Sequence, residues 1–416
     1  MLVRTPRISR LALLLALSPS ALACDDDPVD SAPLILPYTQ AGVPWVFDDD
    51  GHQYLIDTGT PRSFVTPEVA RLPADAFTTD IVAGWNVLGV GEGANVVITN
   101  DLPPAILPMI GPAFGGIMGA DILAKRPFVL DPWRGRIVFD DGDLREWMVE
   151  SDSIVEIPVT IAGGGVSCMQ EGRCFEHQGL RMLVEVELDG EPVVALVDTA
   201  STFSSMGEGL LERLSTGPTP RPELDVARGW DSWHFTRIAH TRVGEAELAD
   251  MPVHVDPALD IAFARLSVEV NAPVELLIGH SLLLHFAAGF DYTAGRLTLA
   301  RYDAPQLVET EMFKNFGFWP ASSGAGADCF MIVAVAGDTA TVQAGLDIGD
   351  CVRLAASEQA ADTSFAGFTR ALTVASVGDE VTFEVRDDRV AELGGDDSPP
   401  RLVTLRKRDL LPQFSS

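Results

Sequence analysis

Two stretches decide the reading of this chain: YLIDTGTPRSFV at 54–65 and ALVDTASTFSSM at 195–206. Each is an apolar run that ends in Asp-Thr, a small residue and a hydroxyl, at Asp57-Thr58-Gly59-Thr60 and at Asp198-Thr199-Ala200-Ser201. One such tetrapeptide is an ordinary turn, because Asp, Thr and Gly are what turns use. The downstream segment of each copy is less ordinary. GIMGADILAKRPFVLDPWRGRIVF at 116–139 and LLIGHSLLLHFAAGFDYTAGRLTL at 276–299 share their landmarks at fixed offsets. Gly119 stands twelve positions before Asp131, and Gly279 twelve before Asp291. Gly135-Arg136 and Gly295-Arg296 then follow, and between the landmarks each copy carries a Gly-Trp, at Gly84-Trp85 and Gly229-Trp230. Matched offsets of this kind mark an internal repeat, so the chain contains two homologous lobes.

Short alternating or fully apolar runs broken by Gly, Pro and Asp read as strands joined by turns. Helical stretches are few: TPEVARL at 66–72, EGLLERL at 208–214, and a turn or two after Gly119 and Gly279. Each lobe is therefore expected to be mainly β, of small-barrel size. At 416 residues and 47% hydrophobic the whole chain can build two to three cores, which excludes a disordered protein, a fibre or a small disulfide scaffold. Its net charge is −31 and only Lys125, Lys314 and Lys407 are lysines, so nucleic acid and anionic lipid headgroups are repelled as ligands.

An apolar strand ending in Asp-Thr-Gly with an Ile-Met-Gly or Leu-Ile-Gly downstream resembles the aspartic proteases of the pepsin and retropepsin type, over residues 33–303. The resemblance implies two acid-protease lobes, each contributing one aspartate, with no cofactor. A zinc site, the rival use of the cysteines, finds no CxxC pair or HExxH helix, and the seven histidines are scattered, so no metal is expected. Asp57 and Asp198 would form the catalytic dyad. Thr58 and Thr199 would bridge the two loops, while the amides of Gly59 and Ala200 and the hydroxyls of Thr60 and Ser201 would orient the carboxylates. Two carboxyls in hydrogen-bond reach cannot both ionise, so they share a proton, and one can accept from water while the other donates to a peptide carbonyl. Ala200 departs from the family glycine; its methyl is tolerable at negative φ and crowded at positive φ. The glycine-rich 84–93 is a candidate flap, and Trp85 either lines the cleft or is core. Arg62, close to the first aspartate, reads as a solvated loop residue. Asp131 and Asp291 read as turn residues. Gly89 to Ala94 fits a GxGxxA fingerprint without the helix it needs, and Gly279-His280-Ser281 lacks the closing glycine of a serine-hydrolase elbow.

The two ends of the chain carry other signals. Arg4, Arg7 and Arg10, an apolar run at 11–17 and Ala21-Leu22-Ala23-Cys24 form a secretory signal, too short to span a bilayer. Small residues before Cys24 resemble a bacterial lipobox, which implies cleavage there, a lipid on its sulfur, and membrane anchoring through it; ordinary cleavage after Ala23 is the alternative. Of the remaining four cysteines, proximity pairs Cys168 with Cys174 and Cys329 with Cys351, one of three connectivities. After 303 the repeat ends, and Ala344-Gly345-Leu346 followed by Gly349-Asp350 and an apolar strand resembles a PDZ domain. Such a domain is α+β and binds peptide ends by strand addition, with Phe316-Gly317-Phe318 in the place of the carboxylate loop; a domain that only packs against the lobes is the alternative. The expected organisation is a signal peptide at 1–23, a tether at 24–32, lobes at 33–150 and 151–303, and a PDZ-like domain at 304–416. The expected function is an exported, lipid-anchored aspartic endopeptidase acting on peptide or protein substrates. The alternatives are a non-catalytic peptide-binding lipoprotein using the same cleft, and inert lobes that display the PDZ domain.

Overall fold

The computed structural model describes residues 33–40, 43–70, 80–82, 85–93, 96–98, 114–148, 153–168, 174–215, 221–228, 231–302, 313–322, 329–337, 343–355, 368, 371–372, 375–386 and 400–411. The signal, the tether and Cys24 lie outside this set. The fold is mainly β, and its two lobes repeat one arrangement, as the sequence repeat predicts.

Each lobe is organised around the same crossing. The strand Gln53–Ile56, which leads into Asp57, runs parallel to Phe114–Met118, with Leu55 opposite Ile117 and Ile56 opposite Met118. In the second lobe Glu191–Val197 runs parallel to Val274–Ile278, with Leu196 opposite Leu277 and Val197 opposite Ile278. The chain that leaves each aspartate loop then returns along the far side of that second strand, as Phe64–Val65 and as Ser205–Met206. The downstream strand is thus caught between the two arms of the aspartate loop. This explains its glycines: a Cβ on Gly119 would sit 2.2 Å from the Arg62 carbonyl oxygen, and one on Gly279 would sit 2.2 Å from that of Phe203. Backbone fills the space, so only glycine fits.

A six-strand antiparallel segment joins the lobes, in the order Leu34–Gln40, Arg136–Phe139, Phe128–Asp131, Phe286–Asp291, Arg296–Arg301 and Ile154–Pro158. At its centre Val129 faces Gly289, and each stands two places before its lobe's Asp131 or Asp291. The pseudo-twofold axis of the repeat therefore passes between these two residues. Phe128 stacks on Phe290 at 4.6 Å across it. The main core runs through both lobes without a break and includes Ile56, Met118, Val197 and Ile278, all fully buried. Burying each such side chain stabilises the fold by about 1.5–3 kcal/mol, which fixes the strands on which the aspartates are mounted.

Asp131 is a turn residue and more than that: fully buried, it accepts from Arg134, from Arg136 at 3.1 Å and from the Tyr302 hydroxyl at 2.8 Å. Asp291 accepts from the Ala294 amide at 2.8 Å, as a turn aspartate does. The helix expected at 208–214 is present as Glu208–Leu214, whereas 67–70 form only turns. A longer helix, Pro257–Val270, was not anticipated. Its start was legible: Asp256 caps it by accepting from the Ala258 amide, and Pro257 opens its first turn.

The C-terminal segment is not a detached module. Its strand Phe330–Ala336 pairs with Glu223–Arg228 of the second lobe, Val226 opposite Ala336, extending that lobe's sheet. Phe313, Ala334, Ala336 and Leu411 pack with Phe203, Leu224, Val226 and Phe235 in one cluster, and Arg237 donates to the Leu411 carbonyl at 2.7 Å. A second cluster is its own, built around Phe383. Phe316 and Phe318 belong to that cluster, each 5.3 Å from Phe383. Gly317 lies between them at φ +91°, and its amide donates to the Asn315 side chain at 2.6 Å. Cys329 and Cys351 form a disulfide. Cys168 and Cys174 are register partners at the end of a hairpin, with their side chains outside the described set.

Candidate active site

The two aspartate loops meet across the lobe boundary through their threonines. Thr58 and Thr199 are both fully buried. The Thr58 hydroxyl donates to the Val197 carbonyl at 2.9 Å and accepts from the Thr199 amide at 3.1 Å. Reciprocally, the Thr199 hydroxyl donates to the Ile56 carbonyl at 2.6 Å and accepts from the Thr58 amide at 3.1 Å. Each hydroxyl therefore uses its one proton and a lone pair on the opposite lobe, which locks the loops in register.

This lock brings the carboxyls of Asp57 and Asp198 together. A Cβ built on Gly59 would lie 2.4 Å from Cγ of Asp198, so the second aspartate occupies the space that any side chain at 59 would need. Within each loop two amides aim at the carboxylate. Gly59 and Thr60 donate to Asp57 Oδ1 at 2.8 and 2.9 Å; Ala200 and Ser201 donate to Asp198 Oδ1 at 3.0 and 3.2 Å. The orienting groups at 60 and 201 are thus amides. The hydroxyl expected to serve at Ser201 instead donates to the Phe203 carbonyl at 2.8 Å, because the loop turns back there.

Burial raises the Asp57 carboxyl well above the ordinary carboxylate range, and the charge of Asp198 adds to it. Asp198 is raised by burial too, but its loop amides, its bond to Asp57 and the nearby Arg181 hold it down. The two therefore titrate as a pair, with one proton between them.

Ala200 has negative φ, so its methyl meets no backbone penalty. It packs against the first-lobe cluster of Val43, Trp45, Leu55, Phe114 and Ile117. The departure from glycine is accommodated by an apolar wall that the other lobe supplies. Arg62 is not a freely solvated residue: burial lowers its pKa and the charge of Asp121 opposes that.

A further symmetric pair escaped the sequence reading. Ser63 accepts from the Gly119 amide at 2.9 Å and donates to Asp121 at 2.6 Å. Ser204 accepts from the Gly279 amide at 3.1 Å, while the Ser281 hydroxyl accepts from the Ser204 amide at 3.0 Å. Ser63 and Ser204 each follow their aspartate by six positions, so the repeat alignment already held the signal. They tie the aspartate loop to the glycine strand behind it.

Trp85 opens a hairpin, Trp85–Val87 with Gly91–Gly93, turned through Leu88 and Gly89 at φ +54° and +74°. Beyond the turn Val90 is buried in the main core. Gly84, the side chain of Trp85, and the Gly229-Trp230 of the other copy lie outside the described residues.

A family model described as "Aspartyl protease" matches residues 184–282, which span the second aspartate loop and its glycine strand. No curated protein matches the chain. Among solved structures, the chain is similar to a retropepsin-like aspartic protease from Rickettsia conorii, at 14% identity and TM-score 0.22 over 35% of this chain and 90% of that one. It is also similar to Basic 7S globulin from soybean, at 12% identity and TM-score 0.32 over 64% of this chain and 94% of that one.

Proposed function

We propose that the chain is an aspartic endopeptidase in which Asp57 and Asp198 activate water against a peptide bond. The observation that carries the reading is the pair of buried carboxyls brought together by reciprocal threonine bonds across two lobes. Asp198 takes a proton from water as its oxygen attacks the scissile carbonyl carbon, and Asp57 gives its proton to the carbonyl oxygen. The resulting gem-diol collapses as the C–N bond breaks, with a proton from Asp198 going to the departing nitrogen and one from the gem-diol hydroxyl returning to Asp57. No bond to the enzyme forms, and the dyad ends with its single shared proton restored.

Three finer assignments belong to the same reading. The N-terminal signal and Cys24 make the protein an exported lipoprotein of a bacterial envelope. The Cys329–Cys351 disulfide fits a non-cytoplasmic location, and among the described residues no helix is long and apolar enough to cross a membrane. The C-terminal segment receives a peptide end along the strand Phe318–Ser322, which pairs on one side with Phe330–Ala336.

The test is cleavage of a mixed peptide library between pH 3 and 8 by the chain from residue 31 onward, beside its Asp57→Asn and Asp198→Asn variants. Cleavage by the parent, reduced at least about 10³-fold in both variants, supports the dyad. Parent-level cleavage in either variant refutes it, and a folded parent silent at every pH moves the cleft to peptide binding without hydrolysis. Metabolic labelling with a fatty acid, lost in Cys24→Ala, checks the anchor.

A further inference from the structure

Among the described residues, an arginine of the second lobe reaches across to the first aspartate loop. Arg181 stands in the strand Cys174–Leu188 of the second lobe. Its Nη1 donates to the carbonyl of Gly59 in the first lobe at 2.8 Å, and its Nε to Glu269 at 3.0 Å on the helix Pro257–Val270. The arrangement has no mirror image, because residues 33–56, which lead into the first aspartate, contain neither Lys nor Arg. A twofold repeat would make the two carboxyls equivalent, and this guanidinium breaks the equivalence.

We propose that Arg181 is a positioning residue for the dyad, clamping the first aspartate loop through Gly59 and biasing the pair so that Asp198 keeps the negative charge and Asp57 the proton. Glu269 is the counter-charge that tempers it. The direction agrees with electrostatics at Asp198, whose carboxyl Arg181 draws downward. Other titratable groups lie on the elements around the two loops. Tyr292, in the turn after Phe286–Asp291, is kept protonated by burial and by both carboxylates. His280, directly after the second glycine strand, is pushed down to about 3 by burial and is neutral over the working range. Arg62 and Asp121 oppose each other in the first lobe. Tyr292 and His280 keep one charge state between pH 4 and 8, and Asp121, raised by burial, stands with Arg62 where the second lobe has Ser281 and Phe203; that pair is the same in every variant below, so differences among the variants report Arg181 and Glu269.

The consequence for catalysis rests on the protease reading, while the placement of the proton does not, and the experiment separates them. In the chain from residue 31 onward, the pH profile of kcat/KM is measured for the parent, Arg181→Met, Arg181→Lys and Glu269→Gln. The carboxyl titration of the pair is followed in parallel by carbon NMR. Loss of the cation moves both limbs and the NMR transitions to higher pH by about 0.5–1 unit, a fraction of what an adjacent full charge produces in a dry site. Glu269→Gln moves them the other way, because the guanidinium is no longer tempered, and Arg181→Lys returns them toward the parent. A merely structural arginine would lower kcat with the limbs unmoved. Limbs and transitions that stay within about 0.2 unit in both charge-removing variants, or that move in the same direction, overturn the proposal. If the parent cleaves nothing, the protease reading fails and the NMR titrations alone decide where the proton sits. Glu269 is an exposed partner whose loss perturbs the fold little, so that variant remains informative even where Arg181→Met does not fold.

Discussion

Gly59→Ala and Ala200→Gly make a paired test of the site's geometry, since they exchange the same methyl between equivalent positions of the two loops. Neither residue has positive φ, so backbone strain is the same for both and only the surroundings differ. At 59 the new Cβ would stand 2.4, 2.6 and 2.8 Å from the three carboxyl atoms of Asp198. Ordinary contact needs about 3.4 Å or more, so Asp198 must retreat by about 1 Å or the threonine lock must open. A displacement of about 1 Å in a reacting group costs about 100-fold in rate, and the proton shared between the carboxyls is lost as they part. At 200 the methyl only leaves an apolar wall, costing about 1–2 kcal/mol of stability from one buried carbon and the added freedom of glycine. Steady-state cleavage and urea unfolding on both variants give the comparison. The expectation is a folded Gly59→Ala with kcat down about 100-fold or more, and an Ala200→Gly that is active but less stable. Parent-like kcat in Gly59→Ala would refute the close approach of Asp198 to the first loop and the dyad with it.

Asp57→Asn should stabilise the fold at neutral pH. A carboxyl raised in the folded state loses stability as pH climbs from the unfolded value through the folded one, and the amide removes that loss. Thermal unfolding at pH 7 should therefore rise by about 2 °C or more, with the advantage vanishing below about pH 4. Ser63→Ala and Ser204→Ala each leave a buried glycine amide without its acceptor, and each should cost about 1–3 kcal/mol by urea unfolding, the larger cost falling on Ser63, whose hydroxyl also donates to Asp121. Truncation after residue 303 should expose Phe203, Leu224, Val226 and Phe235 and give a chain that binds a hydrophobic dye and unfolds at lower temperature. A separable tail would leave the remaining protein unchanged in both respects.

How much of this was open to sequence reading depends on whether a feature is repeated or composite. The lobes, the paired aspartates and the glycines behind them recur at matched offsets, and each recurrence has a local steric cause that a sequence displays. Ser63 and Ser204 were equally displayed but overlooked, because serine in a loop has many ordinary explanations. Arg181 could not have been found this way. Its importance comes from three elements distant in sequence, the strand that carries it, the loop of Gly59 and the helix of Glu269, and the repeat offers no second copy to point it out.

The C-terminal segment shows the same limit in a form that bears on function. Its Gly-Asp and Phe-Gly-Phe signals report on its internal core, where Phe316 and Phe318 meet Phe383. They say nothing of the outer surface, which adds a strand to the second lobe beside Phe203. Phe203 lies five residues beyond Asp198, and its carbonyl accepts from the Ser201 hydroxyl, so the aromatic cluster that docks this segment is also the back wall of the second aspartate loop. Phe313, the first described residue of the segment, lies tilted against Phe203 at 6.1 Å and edge-on to Phe235 at 5.1 Å. Dense cores transmit small displacements because they have no free volume to absorb them. A ligand that shifted the Phe318–Ser322 edge would therefore press, through Phe330–Ala336 and this aromatic cluster, on the loop that carries Asp198.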